Sequence, residues 1–342
     1  MNQADAATGT APSPHLFIST LNAYQNTSAL KAAIELGVFG AIGQSTASAR
    51  EIAERCRCPE RGIRILSDRL VLLGFLEKKG ARYALTPSSG IFLDPKSPAY
   101  LGRSVDFLLS PAIVDAFSDL ASTIRTGRVH TSEQGTTAPN HPAWIEFART
   151  MGTMMFPVAK GVAELLRLDP QRDTKVLDIS ASHGVYGMTV AQKHRRAHIT
   201  ALDWEAVLAV TEENFKKADL GNRFSKIVGD AFKVDLGREY DAVLVPNFLH
   251  HFNVADCTRF LKRARAALRP GGQVIIIEFV PDEDRISPAA AAEFALVMLG
   301  STPEGDAYTF NDYQKMLSEA GFRDAKSFSL PPTAHTAIFA AA

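Results

Sequence analysis

The second half of this 342-residue chain alternates short β-rich runs with helical segments, and this alternation limits its fold more than any other feature. From Lys175 onward the runs are KVLDIS, AHITALD, FSKIVGD, YDAVLVP and GQVIIIEFV. Strands that alternate with helices are typical of a parallel sheet with helices on both faces. The pattern predicts an α/β fold with a doubly wound, Rossmann-like sheet over residues 171–342.

The N-terminal part of the chain predicts a smaller, mainly α-helical domain. Apolar residues recur at helical spacing from His15 to about Gly43, and Ser48 and Pro59 are residues that commonly open helices. Two short runs on either side of Lys79 predict a hairpin. Helices followed by a two-stranded hairpin indicate a winged-helix-like domain.

A loop and a long amphipathic segment connect the two parts. Residues 127–142 are rich in Gly, Pro, Ser and Thr, which predicts a loop. Trp144 to Leu168 predicts one long helix, or two helices with a break at Pro157. The predicted organisation is a disordered lead (1–13), a winged-helix-like domain (14–110), a helical linker (111–170) and an α/β domain (171–342).

Charge and composition argue against several kinds of partner. Lys plus Arg and Asp plus Glu both number 37, so no net charge attracts nucleic acid or an anionic membrane. The helix that would read DNA in a winged helix is mostly apolar, with a narrow basic edge of Arg61, Arg64 and Arg69. We expect no nucleic-acid partner, and a DNA-binding regulator is a remote alternative.

The sequence also predicts a cytoplasmic protein without a metal. The sequence has no apolar run long enough to cross a membrane and no secretory signal pattern at its N-terminus. Cys56, Cys58 and Cys257 lack the spacing and the neighbouring ligands of a zinc or redox site. We therefore expect reduced thiols, no metal and no membrane contact.

Three acids accompany three successive strands of the predicted sheet. Asp178 lies near the end of the first strand, Asp203 ends the second 25 positions later (203 minus 178), and Asp230 follows the third. The carboxyl ends of parallel strands meet at one edge, where α/β folds bind their ligands. A carboxylate there can accept hydrogen bonds from both hydroxyls of a ribose. The pattern predicts a nucleoside-containing cofactor at this edge.

Small and aromatic residues around these acids complete the predicted cofactor site. The turn from Ser180 to Gly184 connects a strand to a helix, whose N-terminus offers amide donors. Trp204 or Phe232 could cover an adenine. The turn is not the glycine fingerprint of a dinucleotide site, because Ser180 and Ser182 stand where glycine is needed. An NAD-dependent oxidoreductase is therefore a weaker alternative.

A histidine and an acid follow the next two strands. His250 and His251 come after the fourth strand, and an unperturbed imidazole titrates near pH 6.5, which suits proton abstraction. Glu278 follows the apolar fifth strand and could orient the imidazole of His250. His250 is the predicted general base, and His251 is the alternative.

These residues resemble the class I methyltransferases of the caffeate and hydroxyindole O-methyltransferase type, in particular the bacterial branch. The resemblance runs from about Pro14 to Ala340, and its blocks are VLDISASHG, NFLHHFNVADCTRFLKRARAALRPGGQVIIIEF and GDAYTFNDYQKMLSEAGF. It implies S-adenosylmethionine as cofactor, a small-molecule methyl acceptor, and a homodimer formed by the N-terminal domain. It also places the family base on His250 and its supporting acid on Glu278, 28 positions later (278 minus 250).

The resemblance assigns further roles by position. It gives Ser180 and Gly184 to the methionine end of the cofactor, Asp203 to the ribose, and Asp230 with Ala231 to the adenine. We add Asp178, Trp204, Phe232 and Asn247 to the cofactor site from their places at the strand ends. The expected acceptor-binding residues are Phe147, Met151, Phe294, Met298 and Thr302, and Phe156 is a further apolar candidate.

One loop and two single positions depart from the plant pattern. The cofactor loop is SASHG, Pro246 replaces a lysine, and Ala307 replaces a second acid. An acceptor that is already nucleophilic, such as a thioether, an amine or an activated carbon, would use the same cofactor without a base. The sequence thus favours O-methylation, with S-, N- or C-methylation as the alternative. The homodimer that the resemblance implies would let Phe17 and Tyr24 reach a partner subunit's site, and the alternative is that both are core residues.

Overall fold

The computed structural model describes residues 12–342, and the chain divides into two compact units, one ending at Gly102 and the other beginning at Arg103. Residues 1–11 of the expected disordered lead lie outside the described part. The unit boundary falls before residue 110, and the helical segment 111–170 belongs to the second unit. Within residues 12–342, no helix combines the length and the apolar character needed to cross a membrane.

The first unit is helical with a small antiparallel sheet. Its elements are α1 (His15–Leu21), α2 (Tyr24–Glu35), α3 (Val38–Ile42), β1 (Thr46–Ser48), α4 (Ala49–Cys56), α5 (Glu60–Leu72), β2 (Leu76–Lys79), β3 (Arg82–Leu85) and α6 (Pro87–Phe92). Ser48 caps α4 in a capping box with Glu51, and Pro59 precedes α5. The predicted hairpin is present, and β1 adds a third strand in the order β1-β3-β2.

The second unit begins with five helices, and those at 105–108, 111–114, 143–150 and 152–165 form the helical wall of the candidate active site. The five are α7 (Val105–Leu108), α8 (Pro111–Val114), α9 (Leu120–Thr126), α10 (Ala143–Thr150) and α11 (Gly152–Leu165). The long segment breaks at Met151, so the break expected at Pro157 is wrong. The Thr150 hydroxyl donates to the Glu146 carbonyl at 2.7 Å and closes α10, and α11 continues through Pro157.

The rest of the second unit is the predicted α/β sheet. Its elements are β4 (Thr174–Ile179), α12 (Val185–Lys193), β5 (Ala197–Asp203), α13 (Glu205–Lys217), β6 (Phe224–Val228), β7 (Tyr240–Pro246), α14 (Val254–Ala267), β8 (Leu268–Phe279), α15 (Ala289–Ala292), α16 (Phe294–Ser301), α17 (Phe310–Glu319), β9 (Arg323–Ser329) and β10 (His335–Ala341). The strand order is β6-β5-β4-β7-β8-β10-β9. The five predicted strands are parallel to one another. The two strands that were not predicted are β10, which pairs antiparallel with β8, and β9, which pairs antiparallel with β10.

Side chains of the central strands pack into two cores, one on each face of the sheet. Val176 packs with residues of α11 and α12, and its neighbour Leu177 packs with residues of α14 and α17. This alternation is the doubly wound arrangement. The chain runs from β4 outward to β6 and then returns to β7 on the other side of β4. The reversal leaves a crevice at the carboxyl ends of β4 and β7, where such folds bind ligands.

Candidate active site

A cavity of about 550 Å³ opens at this crevice, within the second unit. One end is formed by the loops that follow the strands, and the other by the helical wall. Residues of the first end are Ser180, Ala181, Ser182, His183, Leu202, Asp203, Trp204, Gly229, Asp230, Ala231, Phe232, Asn247 and Phe248. Residues of the apolar end are Phe107, Leu108, Ile113, Phe117, Trp144, Phe147, Met151, Met154, Met155, Phe279, Phe294, Val297 and Met298.

The loop after β4 is a tight turn whose backbone is held by buried groups. Ser180 and Ser182 have φ of 51° and 52°, and Gly184, which begins α12, has φ of 73°. Asp178 lies behind this loop, fully buried, and accepts the Gly187 N–H at 3.0 Å. Burial raises the pKa of Asp178 to about 8. Asp178 and Gly184 thus support the loop, and Ser180 and Ser182 line the cavity.

Asp203 ends β5 and points into the same loop. Its carboxylate accepts the Ser182 N–H at 2.9 Å and the Trp204 N–H at 2.8 Å, one on each oxygen. A carboxylate has about four lone-pair sites, so each oxygen can still accept another hydrogen bond. Burial raises the pKa of Asp203 to about 6. The carboxylate is therefore oriented by the backbone and can also bind the hydroxyls of a ligand.

Asp230 and Phe232 follow β6 and also line the end of the cavity that the strand-end loops form. The Asp230 carboxylate accepts the Phe232 N–H at 2.9 Å and pairs with Lys233 Nζ at 3.1 Å. The Phe232 ring packs edge-on against Phe252, with 4.8 Å between centroids, and contacts Phe248. Ala231, between them, is buried. An apolar wall with an acid at its rim is suited to an adenine.

His250 and Glu278 form a buried contact at the wall of the cavity. His250 belongs to the 3₁₀ turn Leu249–His251, and its Nδ1 lies 2.5 Å from Glu278 Oε2. The other carboxylate oxygen accepts the backbone N–H groups of Phe248, Leu249 and His250 at 2.9–3.4 Å. Glu278 is therefore fixed by four hydrogen bonds, and it in turn fixes the imidazole with Nε2 directed away from it.

Burial controls the protonation of this pair. It raises the pKa of Glu278 to about 8, against the lowering effect of the three amide donors, and lowers the pKa of His250 to about 3. At neutral pH the pair therefore holds two protons, one between Nδ1 and Oε2 and one on Nε2 of the ring. When the pair loses one proton, the Glu278 carboxylate accepts the Nδ1–H of His250, and Nε2 has only a lone pair. This is the basic form of the pair.

Four of the five expected acceptor residues line the apolar end. They are Phe147, Met151, Phe294 and Met298, and the Phe294 ring lies 4.8 Å from the His250 ring. The fifth, Thr302, lies in the turn after α16, where its hydroxyl donates to the Met298 carbonyl at 2.7 Å and accepts the Gly305 N–H. Phe156 is about half exposed on α11, away from the cavity lining.

Two further histidines line the cavity, and sequence reasoning did not assign them a role. His183 Nδ1 accepts the Val185 N–H at 3.2 Å, and its ring stacks on Phe147. His335, on the unpredicted strand β10, has its Nε2 3.1 Å from the Asn247 side-chain oxygen. Burial lowers the pKa of each to about 4, so both rings are neutral. His183 could have been noticed as an unusual residue in a small-residue turn, whereas His335 gave no signal.

Comparison with known proteins identifies the family. The O-methyltransferase domain model matches residues 133–323, and the O-methyltransferase dimerisation domain model matches residues 18–95. This chain belongs to the O-methyltransferase family. The match confirms the expected enzyme class, and it favours oxygen over the thioether, amine or carbon alternatives.

Individual relatives of this O-methyltransferase extend over nearly the whole chain. A protein of Nostoc punctiforme described as an O-methyltransferase is 46% identical, covering 97% of this chain and 100% of that one with a TM-score of 0.94. The tetracenomycin polyketide synthesis 8-O-methyltransferase of Streptomyces glaucescens is 29% identical, covering 89% and 90%. Human N-acetylserotonin methyltransferase, solved in complex with S-adenosylmethionine, shares the fold at 23% identity, covering 98% and 99% with a TM-score of 0.83.

Proposed function

We propose that this O-methyltransferase transfers a methyl group from S-adenosylmethionine to a hydroxyl of a small, largely apolar acceptor, with His250 as the general base and Glu278 as its positioning residue. The observation that carries the proposal is the buried His250–Glu278 contact, in the wall of a cavity that also contains Asp203 and Asp230. S-adenosylmethionine, when bound, supplies a methyl group that its sulfonium makes electrophilic.

The charges of the cavity fit this cofactor. Asp203 and Asp230 line it, and in the described part of the chain neither lysine nor arginine does. A cation with a ribose suits such a site, whereas the pyrophosphate of a dinucleotide would face two carboxylates without a compensating charge. The human relative that contains S-adenosylmethionine supports the same choice.

Each part of the cofactor has candidate partners among these residues. Asp203 would accept the ribose hydroxyls, and Asp230 with Ala231 and Phe232 would hold the adenine. Ser180 and Ser182 would hold the methionine end near the N-terminus of α12, with Asp178 and Gly184 supporting the loop from behind. Trp204 and Asn247 complete this end of the lining.

The protein's own contribution to the reaction is positioning, exclusion of water and removal of one proton. The apolar lining around Phe147, Met151 and Phe294 holds the acceptor and keeps water out. Glu278 fixes the His250 ring and stabilises the imidazolium that forms when the proton is taken. A general base of this kind contributes roughly 10²- to 10⁴-fold to the rate.

A release assay for S-adenosylhomocysteine tests the proposed reaction. The panel should contain neutral phenols such as 1-naphthol and N-acetylserotonin, a hydroxynaphthoate, and amines and thioethers of matched size. Because the described lining has no cation to pair with a carboxylate, we expect release with neutral phenols. Release with the amines or thioethers alone would contradict the proposal.

The pH profile of kcat/KM should report the His250–Glu278 pair. The basic form is the one with the proton removed, so activity should rise with pH through the raised pKa of Glu278, about 8, and fall roughly tenfold per unit below it. A glutamine at position 278 cannot take up the proton that the carboxylate holds. The activity of Glu278→Gln should therefore be lower and should not rise through the pKa of Glu278. An unchanged profile in Glu278→Gln would assign the rise to the acceptor's own ionisation instead.

We also propose a homodimer formed by the first unit. The dimerisation domain match supports it, and so do the apolar residues of α1: Leu16, Phe17 and Leu21 are 63–70% exposed. An apolar patch of this kind is typical of an interaction surface. The exposed Phe17 and Tyr24 are the candidates to reach the partner's cavity.

Sedimentation should show a particle of twice 37.1 kDa. Phe17→Glu combined with Leu21→Glu should shift it to the monomer mass, because charges would replace the apolar surface of α1. Ile286→Glu, an exposed apolar position of the second unit, is the matched control and should leave the dimer intact. A wild-type enzyme that is active as a monomer would exclude this proposal.

A further inference from the structure

The nitrogen that His250 offers to an acceptor already has a partner in the structure. Its Nδ1 faces Glu278, so the remaining nitrogen is Nε2, and this atom lies 3.2 Å from Nε2 of His251. The two ring centroids are 4.3 Å apart. An acceptor hydroxyl must therefore either displace His251 or act through it.

The carboxylate of Glu278 determines which nitrogens carry protons. When it accepts Nδ1–H of His250, Nε2 of His250 has no proton and must be the acceptor in the contact with His251. His251 then donates from its own Nε2, and its Nδ1 carries only a lone pair. Within residues 12–342 this Nδ1 has no hydrogen-bond partner. A buried lone pair without a donor is unfavourable, so a donor from a ligand would be stabilising here.

The packing of His251 favours proton transfer through its ring over displacement of the ring by the acceptor. Its ring lines the cavity and packs edge-on against Trp144, with 5.2 Å between centroids. The Phe252 ring also packs edge-on against it, with 6.2 Å between centroids. Moving this ring away would break the contacts with Trp144, Phe252 and His250 together.

We propose that His251 receives the proton of the acceptor hydroxyl and relays it to His250. The hydroxyl proton bonds to Nδ1 of His251 while the Nε2 proton of His251 moves to Nε2 of His250. The electron pair of the broken O–H bond stays on the oxygen, which becomes the nucleophile. His251 ends neutral in its other tautomer, and the positive charge forms on His250, beside the Glu278 carboxylate. This relay rests on the proposed function and adds His251 as the catalytic residue that touches the acceptor.

The tautomers can be measured without an acceptor. Full-length protein labelled with ¹⁵N-histidine should show, at a pH above the pKa of the pair, His250 protonated on Nδ1 and His251 protonated on Nε2. Spectra of His250→Gln and His251→Phe assign the signals. Protonation of His251 on Nδ1 in this form would overturn the relay, because no lone pair would then be available to the hydroxyl.

Kinetics with 1-naphthol, or with whichever phenol of the panel releases most S-adenosylhomocysteine, test the same relay. His251→Phe keeps the aromatic packing but has no nitrogen, so kcat should fall at least a hundredfold. The double variant with His250→Ala should be no slower than His250→Ala alone, since both act in one transfer. The dependence of kcat on the deuterium content of the solvent should be curved, as expected for two protons in flight.

The controls separate this inference from the proposed function. His198→Phe, an equivalent replacement on β5 outside the cavity lining, should keep kcat within about twofold, and calorimetry with S-adenosylhomocysteine should show that His251→Phe still binds the cofactor product. If His251→Phe keeps kcat within about threefold while His250→Ala does not, the relay is wrong and the proposed function stands. If both keep kcat, the proposed base itself is wrong.

Discussion

Replacing His250 with alanine is expected to lower kcat by two to four decades while the affinity for S-adenosylmethionine changes less than about threefold. The variant loses the proposed base, and base catalysis typically contributes roughly 10²- to 10⁴-fold. The cofactor contacts proposed for Asp203 and Asp230 come from other loops and do not involve the imidazole. Kinetics with a phenol from the panel and calorimetry with the cofactor measure the two quantities separately.

The alanine variant leaves one oxygen of a buried carboxylate without its partner, so folding needs its own control. His250→Asn provides one, because its amide nitrogen is bonded to Cγ as Nδ1 is, so it can still donate to Glu278 Oε2, but it cannot serve as a base at neutral pH. Both variants should lose turnover equally, and His250→Asn should retain more of the wild-type thermal stability. Turnover within tenfold of wild type in a folded His250→Asn enzyme would remove His250 from the proposed role.

Much of the catalytic sheet could be predicted because its strands carry two signals at once. The runs that became β4, β5 and β7 are rich in apolar residues and mostly buried, and each is followed by a polar residue or turn. Buried parallel strands need both features, since both faces are covered and ligands meet only the carboxyl edge. The acids Asp203 and Asp230 could be assigned to one edge by this reasoning, before any distance was known.

The last two strands gave no such signal. β9 (RDAKSFS) is mostly exposed, and β10 (HTAIFAA) is rich in small residues that fit helices equally well. β10 pairs with β8, and β9 pairs with β10, so the place of both follows from the β10–β8 pairing, a long-range contact that a local pattern does not record. His335 enters the cavity only through this pairing, so its position could not be predicted.

The helical wall illustrates the opposite difficulty, a strong local signal that the rest of the structure overrides. Pro157 is a helix breaker by its own chemistry, yet α11 runs through it. Its neighbours Met155 and Val158 are buried in the core shared with β4, which stabilises the helix on both sides of the proline. The break at Met151 instead places Phe147 and Met151 at the cavity.

Asp203→Asn is the second change with a large expected effect, and it should weaken binding of S-adenosylhomocysteine roughly a hundredfold, or about 2.7 kcal/mol. Hydrogen bonds to a charged group contribute about 1.5 to 3 kcal/mol each, and the proposed ribose contacts are one or two such bonds. The carboxylate is nearly buried and already oriented by the Ser182 and Trp204 amides, so little water competes for it. Calorimetry at a pH above the pKa of Asp203, about 6, measures the loss.

An asparagine amide would also place an N–H group against the Ser182 or Trp204 amide, so weaker binding alone does not prove contact with a ribose. A 2′-deoxy analogue of S-adenosylhomocysteine separates the two effects. If Asp203 accepts the ribose hydroxyls, wild type should prefer the ribose form strongly, and Asp203→Asn should lose most of that preference. Asp230→Asn is the matched control, because this carboxylate is more exposed and paired with Lys233, and it should keep the preference. An equal preference in wild type and Asp203→Asn would mean that Asp203 only shapes the loop.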